Sequence, residues 1–89
     1  MTSGQAVTRG DVDVRIRYWA SARAAAGCDT ENFRGRDVGE VLQAAAAAHT
    51  GLGVVLAVST ILQDGHAVTA SQALSEGSTL EVLPPFAGG

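Results

Sequence analysis

Apolar and charged residues alternate strictly over one stretch near the start of the chain. The apolar positions are Val12, Val14, Ile16 and Tyr18, and a charged residue stands between each pair. A period of two is typical of a β-strand that buries one face. We therefore predict a first strand here, preceded by a flexible leader over residues 1–11, which are mostly polar and show no periodicity.

A short helix and a second strand are predicted next. Ser21 is placed to cap a helix over residues 22–26, and Gly27 is placed to end that helix in the left-handed conformation. Residues 30–34 then fit a strand that pairs with the first as a hairpin. Phe33 is the one strongly apolar residue of this strand.

The longest helical pattern begins at Asp37. Asp37 and Glu40 have the spacing of a capping box, so a helix should start near Val38 and stop at Gly51. One face of this helix is apolar and is predicted to be core; its members are Val38, Val41, Leu42, Ala45, Ala46 and His49.

The stretch after this helix is harder to assign. Residues 53–58 form an apolar run that fits a helix as well as a strand. The dipeptide Asp64-Gly65 is a strong signal for a two-residue type I′ turn. That turn would join two strands over residues 59–63 and 66–69.

The remaining elements complete a small mixed domain. Residues 71–76 fit a single helical turn with Leu74 inward, and Gly77 would be its left-handed exit. Residues 80–83 fit a last strand. One substantial helix laid on one face of a sheet makes this an α+β architecture.

Length and charge exclude several classes of function. A chain of 89 residues can form one small domain with a modest core, but not a large pocket of its own. A net charge of −3 without a basic cluster argues against nucleic acid as a partner. The sequence also lacks an apolar run long enough for a membrane span and lacks the pattern of a secretory signal. The single cysteine, Cys28, favours a reducing compartment, so we expect a cytoplasmic protein.

The residues that commonly carry catalysis are few. His49 and His66 are the two histidines, and their separation gives no metal-ligand spacing, so no metal and no cofactor are expected. His49 should lie at a helix C-terminus, and His66 should be exposed beside the turn. Cys28 has no histidine near it in sequence to activate its thiol. We therefore predict no catalytic set within the chain.

The strongest functional signal is the end of the sequence. The pair Pro84-Pro85 stops the last strand, because proline cannot donate to a sheet. A flexible tail over residues 86–89 follows and ends in Gly88-Gly89. Two residues without side chains can enter a narrow channel in a partner, and four extended residues reach roughly 13 Å. The terminal carboxylate of Gly89 is thus the prime candidate for chemistry.

Three runs of this sequence resemble the MoaD/ThiS sulfur carriers, and most closely the MoaD branch, the small subunit of molybdopterin synthase. They are Leu-Glu-Val-Leu-Pro-Pro-Phe-Ala-Gly-Gly over residues 80–89, the run over residues 15–23, and the turn over residues 62–65. The similarity covers about residues 12–89. Relatives commonly carry Gly-Asp-Glu before the last strand, where this chain has Gly-Ser-Thr over residues 77–79.

The resemblance implies a ubiquitin-like β-grasp domain over residues 12–85, with about four to five strands and the last strand beside the first. It implies that a MoeB-like, ATP-using enzyme activates Gly89 and that a MoaE-like large subunit uses the resulting thiocarboxylate to sulfurate a cyclic pterin phosphate. The residues expected to contact a partner are Val82, Pro85, Phe86, Ala87 and Gly88. Since strand faces alternate, Val82 could equally be ordinary core.

Two alternatives remain open at this point. The carrier chemistry could serve another acceptor, such as a thiazole, cysteine, a modified tRNA or a secondary metabolite. Alternatively, the chain could be a ubiquitin-like binding module whose Gly-Gly tail is idle or is conjugated to protein lysines.

Overall fold

The computed structural model of the chain describes residues 11–85. The predicted tail over residues 86–89 and all of the predicted leader except Asp11 lie outside this range. Within it the chain forms five strands and three helices. In chain order these are β1 (Val12–Tyr18), α1 (Ala20–Ala26), β2 (Thr30–Gly35), α2 (Val38–Ala48), α3 (Leu52–Val58), β3 (Thr60–Gln63), β4 (His66–Ala67) and β5 (Thr79–Leu83).

The strands form one mixed sheet in the order β2-β1-β5-β3-β4. β5 runs parallel to β1, with Ile16 opposite Leu80, and antiparallel to β3, with Ile61 opposite Val82. The pairs β1–β2 and β3–β4 are antiparallel. The last strand therefore lies in the middle of the sheet beside the first, and the predicted α+β architecture is confirmed.

One face of the sheet is covered and holds the core. The alternation of β1 is confirmed, because Val14, Ile16 and Tyr18 are each at most 2% exposed while the intervening charged residues face outward. The helices contribute the opposite wall of the core, with fully buried side chains at Ala22, Val38, Val41, Ala45 and Leu52.

Helix α2 begins where its capping signal predicts. Asp37 Oδ1 accepts a hydrogen bond from the Glu40 backbone N–H at 2.9 Å. The Glu40 carboxylate accepts from the Arg36 backbone N–H at 2.8 Å and from the Arg36 guanidinium at 2.7 Å. These bonds with Arg36 hold the pKa of Glu40 below its ordinary value. The cap thus satisfies N–H groups that a helix start leaves without intrahelical partners.

Two helical predictions need correction. Helix α1 begins at Ala20 rather than after a Ser21 cap, because the Trp19 carbonyl already accepts from the backbone N–H groups of Ala22 and Arg23. The ambiguous apolar run proves to be helix α3, and Gly51, in the left-handed conformation at φ 93°, starts it. None of the helices within residues 11–85 has the length and apolar character needed to cross a membrane.

The hairpin prediction is confirmed, and the prediction for residues 71–76 is only partly right. Asp64 and Gly65 have φ of 47° and 90°, as a type I′ turn requires. Residues 71–76 form no helical turn within the described chain, because their backbone groups pair elsewhere. Gln72 O accepts from Val38 N and so satisfies a donor at the start of α2. Leu74 is nevertheless buried, and Gly77 is left-handed at φ 81°, as predicted.

Candidate functional site

The predicted tail starts from the central strand of the sheet. β5 is hydrogen-bonded to β1 on one side and to β3 on the other. Pro84 and Pro85 follow it directly, and Pro85 is exposed. The predicted site residues Phe86, Ala87, Gly88 and Gly89 lie outside the described residues.

Side chains of β5 alternate between the core and the opposite, outer face of the sheet. Leu80 and Val82 are fully buried, whereas Glu81 and Leu83 are half-buried on the outer face. Val82 was expected to contact a partner, and this expectation is corrected, since its side chain packs in the domain's own core. Leu83 is the neighbouring apolar residue that faces outward.

An aromatic residue stands on the outer face beside the end of β5. Trp19 is 40% exposed, and its Nε1–H donates to Glu81 Oε2 at 3.3 Å. The guanidinium carbon of Arg17 lies 5.0 Å from the centroid of the Trp19 ring, within the range of a cation–π contact. We call Arg17, Trp19, Glu81, Leu83 and Pro85 the tail-base patch.

The tail-base patch combines features of a protein-binding surface. An exposed tryptophan and an arginine are residue types that are enriched among interface anchors. Sequence reasoning missed Arg17, Trp19 and Glu81 as site residues. The alternation of faces along β1 and β5 could have indicated Arg17 and Glu81, which are register partners in the parallel pair.

A second group of functional side chains lies at the other side of β1. Tyr18 Oη donates to Glu31 Oε1 at 2.8 Å, and His49 Nε2 lies 2.8 Å from both carboxylate oxygens of Glu31. Cys28 joins them, because one ligand atom each from Cys28, Glu31 and His49 lies within 4.8 Å of the others. Sequence spacing gave no indication that Cys28 and His49 are neighbours. His66, by contrast, is exposed on β4, as predicted.

The environment of this second group keeps its weak acids protonated. Burial, followed by the hydrogen bond to Glu31 and its negative charge, raises the pKa of Tyr18 well above the usual tyrosine value. Partial burial and then the carboxylates of Glu31 and Asp29 raise the pKa of Cys28. A protonated thiol is a weak nucleophile, so this geometry does not make Cys28 an activated one.

Comparison with known proteins identifies a family and several solved structures that this chain resembles. A model of the ThiS family matches residues 16–89. No curated protein sequence matches the chain. Among solved structures, the chain is similar to SAMP1 from Haloferax volcanii, at 25% identity and a TM-score of 0.78, over 86% of this chain and 99% of that one.

Two further structures concern molybdopterin converting factor. A proposed subunit 1 from Pyrococcus furiosus is 25% identical, with a TM-score of 0.75 over 83% of this chain and 98% of that one. A chain from the complex of subunits 1 and 2 of Helicobacter pylori is 23% identical, with a TM-score of 0.66 over 88% of this chain and 100% of that one. The last likeness is one of fold, and together these neighbours confirm the ubiquitin-like β-grasp fold.

Proposed function

Because the chain belongs to the ThiS family of ubiquitin-like sulfur carriers, we propose that Gly89 carries sulfur as a C-terminal thiocarboxylate. The observation that supports this most is that the family match runs through residue 89 and so includes the Gly88-Gly89 pair. We further propose that the acceptor is a cyclic pterin phosphate and that the chain acts as the small subunit of a molybdopterin synthase, in the cytoplasm.

The chemistry must begin with activation, because a carboxylate anion resists nucleophiles. A carboxylate oxygen of Gly89 attacks the α-phosphorus of ATP, and pyrophosphate leaves. Sulfide then attacks the acyl carbon of the adenylate and AMP leaves, so that one sulfur replaces one oxygen. A dithiolene needs two sulfurs, and each carrier brings one. The carrier therefore has to be loaded and discharged twice for each pterin.

The contrast between the buried core of β5 and the residues that follow Pro85 supports a carrier rather than a self-contained enzyme. β5 is fixed between two neighbouring strands, and its inward side chains are buried in the core. The residues after Pro85 can therefore enter a partner without breaking any contact made by Leu80 or Val82. Glycine at positions 88 and 89 permits close approach of the backbone to a partner's reacting groups.

Two partners follow from this proposal. One is a MoeB-like adenylating enzyme, and the other is a MoaE-like large subunit that holds the pterin. The structural neighbour from Helicobacter pylori is a complex of subunits 1 and 2 of molybdopterin-converting factor. We propose that the large subunit docks on the tail-base patch, with Trp19, Leu83 and Pro85 next to Phe86, Ala87 and Gly88 of the tail.

The test is a reconstitution followed by intact-mass measurement. The chain is incubated with the adenylating enzyme, ATP and sulfide. We expect a mass gain equal to one sulfur replacing one oxygen, localised by fragmentation to Gly89, and its loss when the large subunit and the pterin are added. Sulfur found on Cys28 alone, or no gain in mass, overturns the proposal. A gain that is never passed to the pterin keeps the carrier and reassigns its acceptor.

A second candidate function is protein modification. It is favoured by the likeness to SAMP1, since another SAMP1 neighbour is described as a small archaeal modifier protein. In that case Gly89 would form an isopeptide bond with a lysine of another protein. The six basic residues of this chain are all arginine, so it offers no lysine of its own for such a bond. Peptides carrying a Gly-Gly remnant on partner lysines, after digestion of cell extracts, would identify this function.

A further inference from the structure

The cluster of Cys28, Glu31 and His49 is not explained by sulfur carriage at Gly89. It lies on the helix-covered side of the sheet, where edge strand β2 meets the C-terminal end of α2. The side chains of Glu31 and His49 are 26% and 21% exposed, so the group is shielded but open to solvent. Three different ligand types thus converge at one half-buried point.

The fold brings these residues together for simple geometric reasons. Glu31 is the register partner of Ile16 in β1, so its side chain lies on the core face of the sheet, the same face as Phe33. His49 is the C-cap of α2 and ends the helical face formed by Val38, Val41 and Ala45. A carboxylate on the core face of a strand is costly unless it has partners.

We propose that Cys28, Glu31 and His49 bind one Zn²⁺-type divalent cation through Sγ, a carboxylate oxygen and an imidazole nitrogen. This inference goes beyond the proposed function and does not depend on it. Thiolate, imidazole and carboxylate are the three protein ligand types of zinc, and three protein ligands leave a fourth, open position for water. The mixed soft and borderline donors select Zn²⁺ over Mg²⁺ or Ca²⁺, which prefer oxygen.

The distances are close to those that a tetrahedral cation needs. Zinc bonds of about 2.0–2.3 Å place neighbouring ligand atoms roughly 3.3–3.6 Å apart. His49 Nε2 and the Glu31 oxygens are 2.8 Å apart, and all three ligand atoms lie within 4.8 Å of one another. A cation therefore requires the first pair to separate by about half an ångström, and it requires Cys28 to approach by no more than roughly 1.3 Å.

The surrounding residues orient one of the ligands, and binding of the cation requires the loss of a proton. The hydroxyl of Tyr18 donates to Glu31 Oε1 at 2.8 Å, which is the kind of second-shell bond that orients a ligating carboxylate. The cation displaces the thiol proton of Cys28, and the neutral imidazole keeps its one proton on the other nitrogen. Tyr18, Asp29, Glu31 and His49 are the titratable groups beside this thiol. Because the thiol must lose its proton when the cation binds, apparent affinity should increase with pH.

Cobalt(II) is the probe for this site, because its spectrum reports the ligands. The full chain, reduced and stripped of metal, is titrated with Co²⁺ and then with Zn²⁺. We expect a thiolate-to-cobalt charge-transfer band that saturates at one cobalt per monomer, with visible bands of tetrahedral intensity, and both should disappear as Zn²⁺ displaces cobalt. The complete absence of a charge-transfer band overturns the proposal, as does saturation at one cobalt per two chains with dimer formation.

Matched variants assign the ligands. Cys28→Ser should abolish the charge-transfer band, and Glu31→Gln and His49→Gln should each weaken cobalt binding at least roughly tenfold, as loss of even an outer-shell partner commonly does. His66→Gln is the control and should bind like the parent chain. If His66→Gln removes binding while His49→Gln does not, the assignment is wrong. Far-ultraviolet circular dichroism confirms that each variant is folded. Cys28→Ser should still gain sulfur at Gly89, so the two proposals fail separately.

Discussion

The two sides of strand β5 differ in what they do for the molecule. Leu80 and Val82 point inward and are fully buried, whereas Glu81 and Leu83 point outward and are only half-buried. The inward pair packs in the core that β5 shares with β1 and the helices. The outward pair borders Trp19 and leads to the tail. A single five-residue strand thus alternates core residues with residues of the proposed docking surface.

This separation has a physical basis in the position of the strand. Because β5 is hydrogen-bonded on both sides, its backbone cannot accept a further strand from a partner. If the proposed large subunit docks here, it has to contact the outward side chains of β5 rather than its backbone. We expect changes on the two sides of the strand to affect different measurements.

The most severe functional loss should come from the end of the tail. Deleting Gly89 removes the carboxylate at the correct reach and should abolish sulfur transfer. The free energy of unfolding should change by less than about 0.5 kcal/mol, because we predict that the tail lies outside the folded domain. Urea unfolding and a reconstituted synthase assay measure the two effects. Cofactor synthesis restored by the truncated chain would contradict the carrier mechanism.

The inward side of β5 should show the opposite behaviour. Leu80→Ala empties space in a fully buried site and should lower the free energy of unfolding by about 2–5 kcal/mol. Leu83→Ala is the matched control on the outer face, and it should cost no more than about 1 kcal/mol. The midpoints of urea unfolding compare the two. Equal losses would show that the two faces of β5 do not divide stability from recognition.

Sequence signals that span only a few neighbouring residues predicted the local structure well. The alternation of β1, the Asp37 cap and the Asp64-Gly65 turn each depend on local geometry, and each is confirmed. Residues 71–76 were harder, since their backbone pairs with the start of α2 some 35 residues away rather than with itself, as in the bond from Val38 N to Gln72 O. Long-range partners of this kind leave no periodic trace in the sequence.

The candidate sites show the same limit. The Gly-Gly tail is visible in the sequence, but Trp19 and Glu81 meet across 62 residues, and Glu31 and His49 meet across 18. The alternation of strand faces and the helical period could have indicated part of this arrangement. Glu31 stands two positions before Phe33 and so shares its buried face, and His49 closes the apolar face of α2. Cys28 lies in a loop, where neither the period of a strand nor that of a helix applies.

The outer face should affect binding more than stability. Trp19→Ala removes the exposed aromatic ring of the tail-base patch and should weaken binding to a large subunit by on the order of 2 kcal/mol, as for an interface anchor. The free energy of unfolding should fall by only about 1 kcal/mol, since much of the ring is already in solvent.

Val54→Ala is the control for Trp19→Ala, because Val54 is 74% exposed on α3, away from the tail-base patch. Titration calorimetry with the purified large subunit measures both variants. Unchanged affinity in Trp19→Ala, or an equal loss in Val54→Ala, would place the docking surface elsewhere.

The smallest effect should come from a charge far from the tail. The Arg36 bonds lower the pKa of Glu40 below its ordinary value of 4.5. A group whose pKa is lower in the folded than in the unfolded state stabilises the fold above the unfolded pKa, and this contribution disappears as pH falls through the folded pKa. Glu40→Gln should therefore be slightly less stable than the parent at neutral pH and indistinguishable from it in acid. Sulfur transfer should be unchanged.

Thermal unfolding, followed from neutral to acid pH at low and at high salt, measures the difference in stability. High salt should reduce this difference, because the Arg36–Glu40 pair is exposed. Arg36→Gln should reproduce the same pH dependence, and a difference that stays constant with pH would assign the stabilisation to the shape of the Glu40 side chain rather than to its charge.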